Sequence, residues 1–118
     1  GQIGFTDFKP GEREKYLPSQ QRLVRRHPGS GRKTLYLSAH GSHVVGWPVA
    51  EGRLLLWDLT AHATQSQFIY SHRWQIGDLV IWDNRCTMHR GRPHDESQAR
   101  DLRRATTLDT SSTLEQAA

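Results

Sequence analysis

The sequence predicts a mainly β chain with one or two helices. Three observations carry that expectation: short runs of β-branched and aromatic residues recur between clusters of turn formers, one stretch shows a sustained helical period, and strands do not alternate with helices as in a parallel sheet. Many short strands with turn signals favour a sandwich or barrel.

Taken in order, Gly1 to Pro10 mixes glycine with Phe5 and Phe8, and Gly11 to Lys15 is charged, which reads as loop with at most a short helix. Pro18 marks a turn, and Gln20 to Arg26, with Leu23 and Val24 apolar, reads as a strand. His27-Pro28-Gly29-Ser30-Gly31 supplies a tight turn, since proline and glycine adopt backbone geometries that other residues resist. Thr34 to Ser38 follows as a second strand, ending at Ala39-His40-Gly41. Pro48 suits the first residue of a helix, where its missing N–H is not needed. From Val49 to Ala63 the positions Gly52, Leu55, Leu56, Leu59 and Ala63 recur at helical spacing and form a packing face that Leu54 and Trp57 widen. That helix is expected to rest against the outside of a sheet. Gln67 to Trp74 reads as a strand, Gln75 to Asp78 as a turn, and Leu79 to Trp82 as the most apolar strand. Thr87-Met88 is again strand-like after the turn Asp83-Asn84-Arg85, Gly91 to Gln98 is loop, and Arg103 to Leu108 is extended. The remaining Asp109 to Ala118 is a polar tail, expected to be disordered or a loose cap.

At 118 residues one domain is expected, yet a hydrophobic share of 35% and a mean hydropathy of -0.74 are poor for a chain that must bury a core alone. The net charge of +4 comes from scattered pairs such as Arg25-Arg26, Arg32-Lys33 and Arg103-Arg104. A nucleic-acid face needs a basic stripe, so the charge points to small anionic ligands instead. The one cysteine, Cys86, rules out an internal disulfide and fits a reducing cytoplasm; on a strand it reads as a buried inert thiol. No signal peptide or spanning segment is legible, so a cytoplasmic chain without a membrane partner is expected.

The stretch from Trp82 to Leu108 carries the chemistry. It reads Trp-Asp-Asn-Arg-Cys-Thr-Met-His, with Arg100 eleven positions after His89 and Arg104 four further on within Arg-Arg-Ala-Thr. A neutral imidazole suits a transition metal, and a planar guanidinium holds a carboxylate bidentately. Two neighbouring antiparallel strands would bring His89 and Arg100 close together.

These residues resemble the C-terminal signature of the Fe(II)/2-oxoglutarate-dependent dioxygenases of the taurine dioxygenase and 2,4-dichlorophenoxyacetate dioxygenase family. The resemblance runs upstream through Gln21-Arg22-Leu23-Val24, His27-Pro28 and Gly31-Arg32-Lys33 to the helix at Pro48 to Ala63, and covers roughly residues 17 to 108. It implies the C-terminal portion of a double-stranded β-helix, a jelly roll, with residues 1–108 forming part of the domain and 109–118 the tail. It also implies a two-His-one-carboxylate iron site that leaves positions open for 2-oxoglutarate and O2. His89 matches the distal iron ligand, Arg100 the arginine that pairs with the far carboxylate of 2-oxoglutarate, and Arg104 one that meets the anionic head of the substrate. His40 matches a histidine associated, in herbicide-degrading members, with the aryloxyacetate carboxylate; a strand-capping histidine is the alternative.

The departure from the family pattern is as informative. Of the histidines before His89, namely His27, His40, His43, His62 and His72, none begins a His-x-Asp or His-x-Glu; His94 does, through Glu96, but it lies after the distal position. The N-terminal metal pair is therefore absent and the chain reads as the second part of an enzyme, inactive by itself, whose exposed strand edges favour a homo-oligomer. The resemblance implies hydroxylation of a small anionic substrate, an aryloxyalkanoate with ether cleavage. Taurine or another alkylsulfonate is the alternative within the family, and a non-catalytic, degenerate β-sandwich binding module is the alternative outside it.

Overall fold

A computed structural model describes residues 19–116. Its elements are the strands β1 (Val24–Arg26) and β2 (Lys33–Leu35), the helix α1 (Val49–Ala63), and a 3-10 turn at Ser66–Phe68. β1 and β2 pair antiparallel, with Val24 opposite Leu35, Arg25 opposite Thr34 and Arg26 opposite Lys33. The turn between them closes through Gly31 N–H to the His27 carbonyl and His27 N–H to the Arg32 carbonyl, both at 2.8 Å. Gly31 sits at φ +68°, where a side chain would be strained.

The helix forms where its period placed it. Pro48 precedes it at φ -53°, and Glu51 lies in the first turn, where a negative charge is favourable to the peptide dipoles. Gly52 is buried, and Leu55, Leu56, Leu59, Thr60 and Ala63 are half-buried, so the expected packing face is the one covered. Leu54 and Trp57 do not widen it: they are 65% and 74% exposed. What covers the face at Gly52 is the loop ahead of the helix rather than a sheet, since a Cβ built there would lie 2.7 Å from the backbone nitrogen of Val44.

The mainly β expectation holds only in its coarse form, few helices and a small sheet. Among the described residues the sheet has two strands, and Gln67 to Trp74, Leu79 to Trp82, Thr87-Met88 and Arg103 to Leu108 carry no ladder. A strand is stabilised by hydrogen bonds to a neighbour, and these segments have none here. Alternation survives without the ladder: the rings of Tyr70, His72 and Trp74 follow one another with centroids 6.3 and 4.8 Å apart.

No hydrophobic side chain among the described residues is buried, whereas Arg25 is 3% exposed and Thr113 8%. The interior is thus polar, and residues 109–116 build part of it. Thr113 Oγ1 accepts from the Arg22 N–H at 3.2 Å and donates to Gln21 Oε1. Arg25 donates from Nη1 to Gln116 Oε1 at 3.3 Å, pairs with Asp109 at 3.7 Å and lies 5.2 Å from the Tyr36 ring centroid. No helix of the described residues is long and apolar enough to cross a membrane.

Candidate functional site

The Trp82–Thr87 turn is densely hydrogen-bonded. Asp83 follows the apolar run Leu79 to Trp82, and its carboxylate gathers donors from three places. Oδ1 accepts from the Arg85 backbone N–H at 2.8 Å and from Arg85 Nε at 2.9 Å; Oδ2 accepts from Arg85 Nη2 at 2.7 Å and from His27 Nε2 at 2.9 Å. The carbonyl of the same residue accepts the Thr87 N–H at 3.0 Å and the Thr87 hydroxyl at 2.6 Å. The Arg85 guanidinium, and after it the His27 imidazole, hold the Asp83 carboxyl far below the usual carboxylate range, because their bonds favour the ionised form.

His27 reaches Asp83 from the β1–β2 turn. Its Nδ1 accepts from the Ser30 backbone N–H at 3.1 Å. An amide only donates, so Nε2 carries the ring proton and donates it to Asp83. On the other side Asp109 joins the group, 3.9 Å from Arg85 Nη1. Beside His27 and the 109–116 segment lies an open cavity of about 290 Å³, lined by Arg26, His27, Pro28, Gly31, Thr110, Ser111 and Gln116.

His89 lies beyond this turn, exposed, with its ring centroid 4.8 Å from that of Trp82. Trp82 is itself held by a hydrogen bond from Nε1 to Asn84 Oδ1 at 2.8 Å. Arg100 and Arg104 are exposed on irregular chain, and neither makes a hydrogen bond or ion pair among the described residues. No such bond or ring contact joins His89, Arg100 and Arg104 to one another. His40 is exposed in a turn closed by its own N–H to Ser38 Oγ at 3.1 Å and by Gly41 N–H to the Ser38 carbonyl at 3.0 Å.

Two sequence expectations meet a different local setting. Cys86 is exposed in the turn rather than buried on a strand, because the Asp83 carbonyl pulls residues 86 and 87 back into a tight loop. His27, expected only to shape its own turn, also bonds Asp83 across 56 positions, a pairing that no local pattern announces.

His89, the residue expected from the sequence to hold iron, belongs to no group of three His, Cys, Asp or Glu side chains among the described residues. An iron centre is therefore not complete on them. His27, Asp83 and Cys86 do place donor atoms within 4.8 Å of one another. A cation there would have to displace both the His27 ring proton and the Arg85 guanidinium, so the cluster reads as a hydrogen-bonded clamp.

Residues 2–106 match the family described as "Taurine catabolism dioxygenase TauD, TfdA family". The chain is 59% identical over 107 residues to the alpha-ketoglutarate-dependent 2,4-dichlorophenoxyacetate dioxygenase of Cupriavidus pinatubonensis, covering 91% of this chain and 37% of that one. It is 54% identical over 106 residues to the enzyme of the same description from a Burkholderia species, covering 90% and 36%. The crystal structure of AAD-2 in complex with Mn(II) and N-oxalylglycine superposes with a TM-score of 0.87 at 52% identity, over 96% of this chain and 45% of that one. The chain thus spans 36–37% of the length of these curated relatives. With a match from residue 2 to residue 106, it belongs to the TauD, TfdA dioxygenase family.

Proposed function

We propose that this chain is the C-terminal part of an iron(II)- and 2-oxoglutarate-dependent dioxygenase that hydroxylates an aryloxyalkanoate, with a jelly-roll sheet completed by the part of the domain the chain does not cover. The observation that carries the reading is the 59% identity with a 2,4-dichlorophenoxyacetate dioxygenase over 107 residues. His89, Arg100 and Arg104, whose spacing resembles the family's active-site register, lie within the matched span.

In this reading His89 is the distal iron ligand, and two further ligands come from the remainder of the domain. When bound, the iron and O2 carry the oxidation of the substrate C–H; the protein binds and orients. Arg100 takes the far carboxylate of 2-oxoglutarate as a bidentate ion pair. Arg104 and His40 take the carboxylate of the aryloxyalkanoate, and hydroxylation beside the ether oxygen releases a phenol. What supports these roles is that both guanidinium groups are exposed and without a carboxylate partner among the described residues.

The test is to join this chain to the N-terminal portion of the Cupriavidus enzyme and follow succinate release with Fe(II), ascorbate and either 2,4-dichlorophenoxyacetate or taurine. Turnover with the herbicide that disappears in His89→Ala is the expected result. A folded chimera with no 2-oxoglutarate turnover, beside an active parent enzyme, would overturn the reading, and turnover with taurine alone would move the substrate to alkylsulfonates.

A further inference from the structure

We propose that Asp83 is a positioning residue for His89: it fastens the Trp82–Thr87 turn to the β1–β2 turn through His27 and, by way of Arg85, to Asp109, and so sets where the His89 ring stands. The inference rests on the reading of His89 as a metal ligand, and extends it to residues that touch neither metal nor substrate.

Two routes lead from Asp83 to His89. The first runs through the backbone, where the Asp83 carbonyl accepts both the Thr87 N–H and the Thr87 hydroxyl and so fixes the chain just ahead of His89. The second runs through the indole: Asn84 Oδ1 accepts the Trp82 Nε1–H at 2.8 Å, and the Trp82 ring backs His89 at 4.8 Å. Both depend on a turn that would otherwise be held only by its own residues.

What anchors that turn is a line of alternating charges and donors. Arg25 on β1 pairs with Asp109, Asp109 with Arg85, Arg85 with Asp83, and Asp83 accepts from His27. Arg25 and His27 lie on and next to the same strand, so the line begins and ends on the hairpin, with the turn between. An imidazole ligand is useful only in the right place and orientation, and outer groups commonly supply both. Here the orienting group is the Trp82 ring, and the clamp holds the residue next to it.

The test is made on the whole 118-residue chain with 13C-labelled histidine. The Trp82 ring current should displace the His89 ring-proton resonances upfield, and Trp82→Leu, by abolishing that displacement, identifies them. Asp83→Asn should reduce the displacement by roughly half or more while the far-ultraviolet helix signal from residues 49–63 is retained. His27→Gln, which keeps the turn but loses the imidazole donor, should reduce it less. Unmoved His89 resonances in an Asp83→Asn chain that keeps its helix signal would overturn the proposal. Should Asp83→Asn lose that signal, His27→Gln decides in the same way. Loss of Fe(II)-dependent 2-oxoglutarate turnover in His89→Ala of the chimera tests the ligand reading separately. If that turnover persists while the substitutions collapse the ring-current shift in the 118-residue chain, the positioning role stands and the ligand role falls.

Discussion

Asp83 Oδ2 accepts a hydrogen bond from His27 Nε2 at 2.9 Å, joining two turns 56 positions apart in the chain. Arg85 grips the same carboxylate from the other side at 2.7 Å. A polar clamp, not an apolar core, is what connects the hairpin to the turn that leads to His89.

The clamp has a pH signature. Because Arg85 first and His27 second lower the Asp83 pKa on folding, its contribution to stability is fully present above the ordinary carboxylate value of about 3.9 and is lost as pH falls through the lower folded value. Asp83→Asn is expected to be less stable than the unsubstituted chain at neutral pH. The difference should shrink as an acid titration, followed by circular dichroism, proceeds below about pH 4.

Gly52 is a packing requirement of the helix. A Cβ there would meet the Val44 backbone nitrogen at 2.7 Å and its Cβ at 3.2 Å, and backbone does not rotate away. Gly52→Ala gains about 1 kcal/mol of helix propensity, but overpacking of this kind costs about 1–3 kcal/mol. A net fall in thermal midpoint is expected, whereas Gly91→Ala, with nothing within 4 Å, should leave it unchanged.

The two arginines are expected to separate kinetically in the chimeric enzyme. A hydrogen bond to a charged group contributes about 1.5–3 kcal/mol, so Arg100→Ala should raise the KM for 2-oxoglutarate by a factor of ten or more, with partial recovery in Arg100→Lys. Arg104→Ala should raise the KM for the aryloxyalkanoate and leave that for 2-oxoglutarate within about twofold. Equal effects of both substitutions on both ligands would contradict the assignment.

The apolar surface should make the isolated chain associate with itself. Ile76, Leu79, Ile81 and Leu108 are 107%, 83%, 83% and 97% exposed, and three of them lie on or beside the apolar run that carries no ladder. Contiguous exposed apolar surface and unpaired extended chain both favour association. Sedimentation velocity should show mass rising with concentration, and Leu79→Lys with Ile81→Lys should suppress the rise. A monodisperse monomer across the concentration range would refute this.

The local elements were legible in the sequence because local rules decide them. Proline ahead of a period of three and four residues placed the helix from Val49, and His-Pro-Gly-Ser-Gly placed the hairpin turn. The triplet Asp83-Asn84-Arg85 likewise announced a turn, and bonds between Asp83 and Arg85 hold it. The spacing of His89, Arg100 and Arg104 also needed no coordinates, since a family register is a property of order along the chain.

What only the tertiary structure decided is everything that depends on a partner distant in sequence. Leu79 to Trp82 has the composition of a buried strand, yet composition cannot supply the neighbour whose N–H and C=O groups make a ladder, and none lies beside it among the described residues. The bond between His27 and Asp83, the burial of Arg25 among Gln116, Asp109 and Tyr36, and the packing of Thr113 against Arg22 are likewise invisible to any window of sequence. Hydrophobic period and turn chemistry act over a few residues, whereas a charge finds its counter-charge only after the chain has folded back on itself.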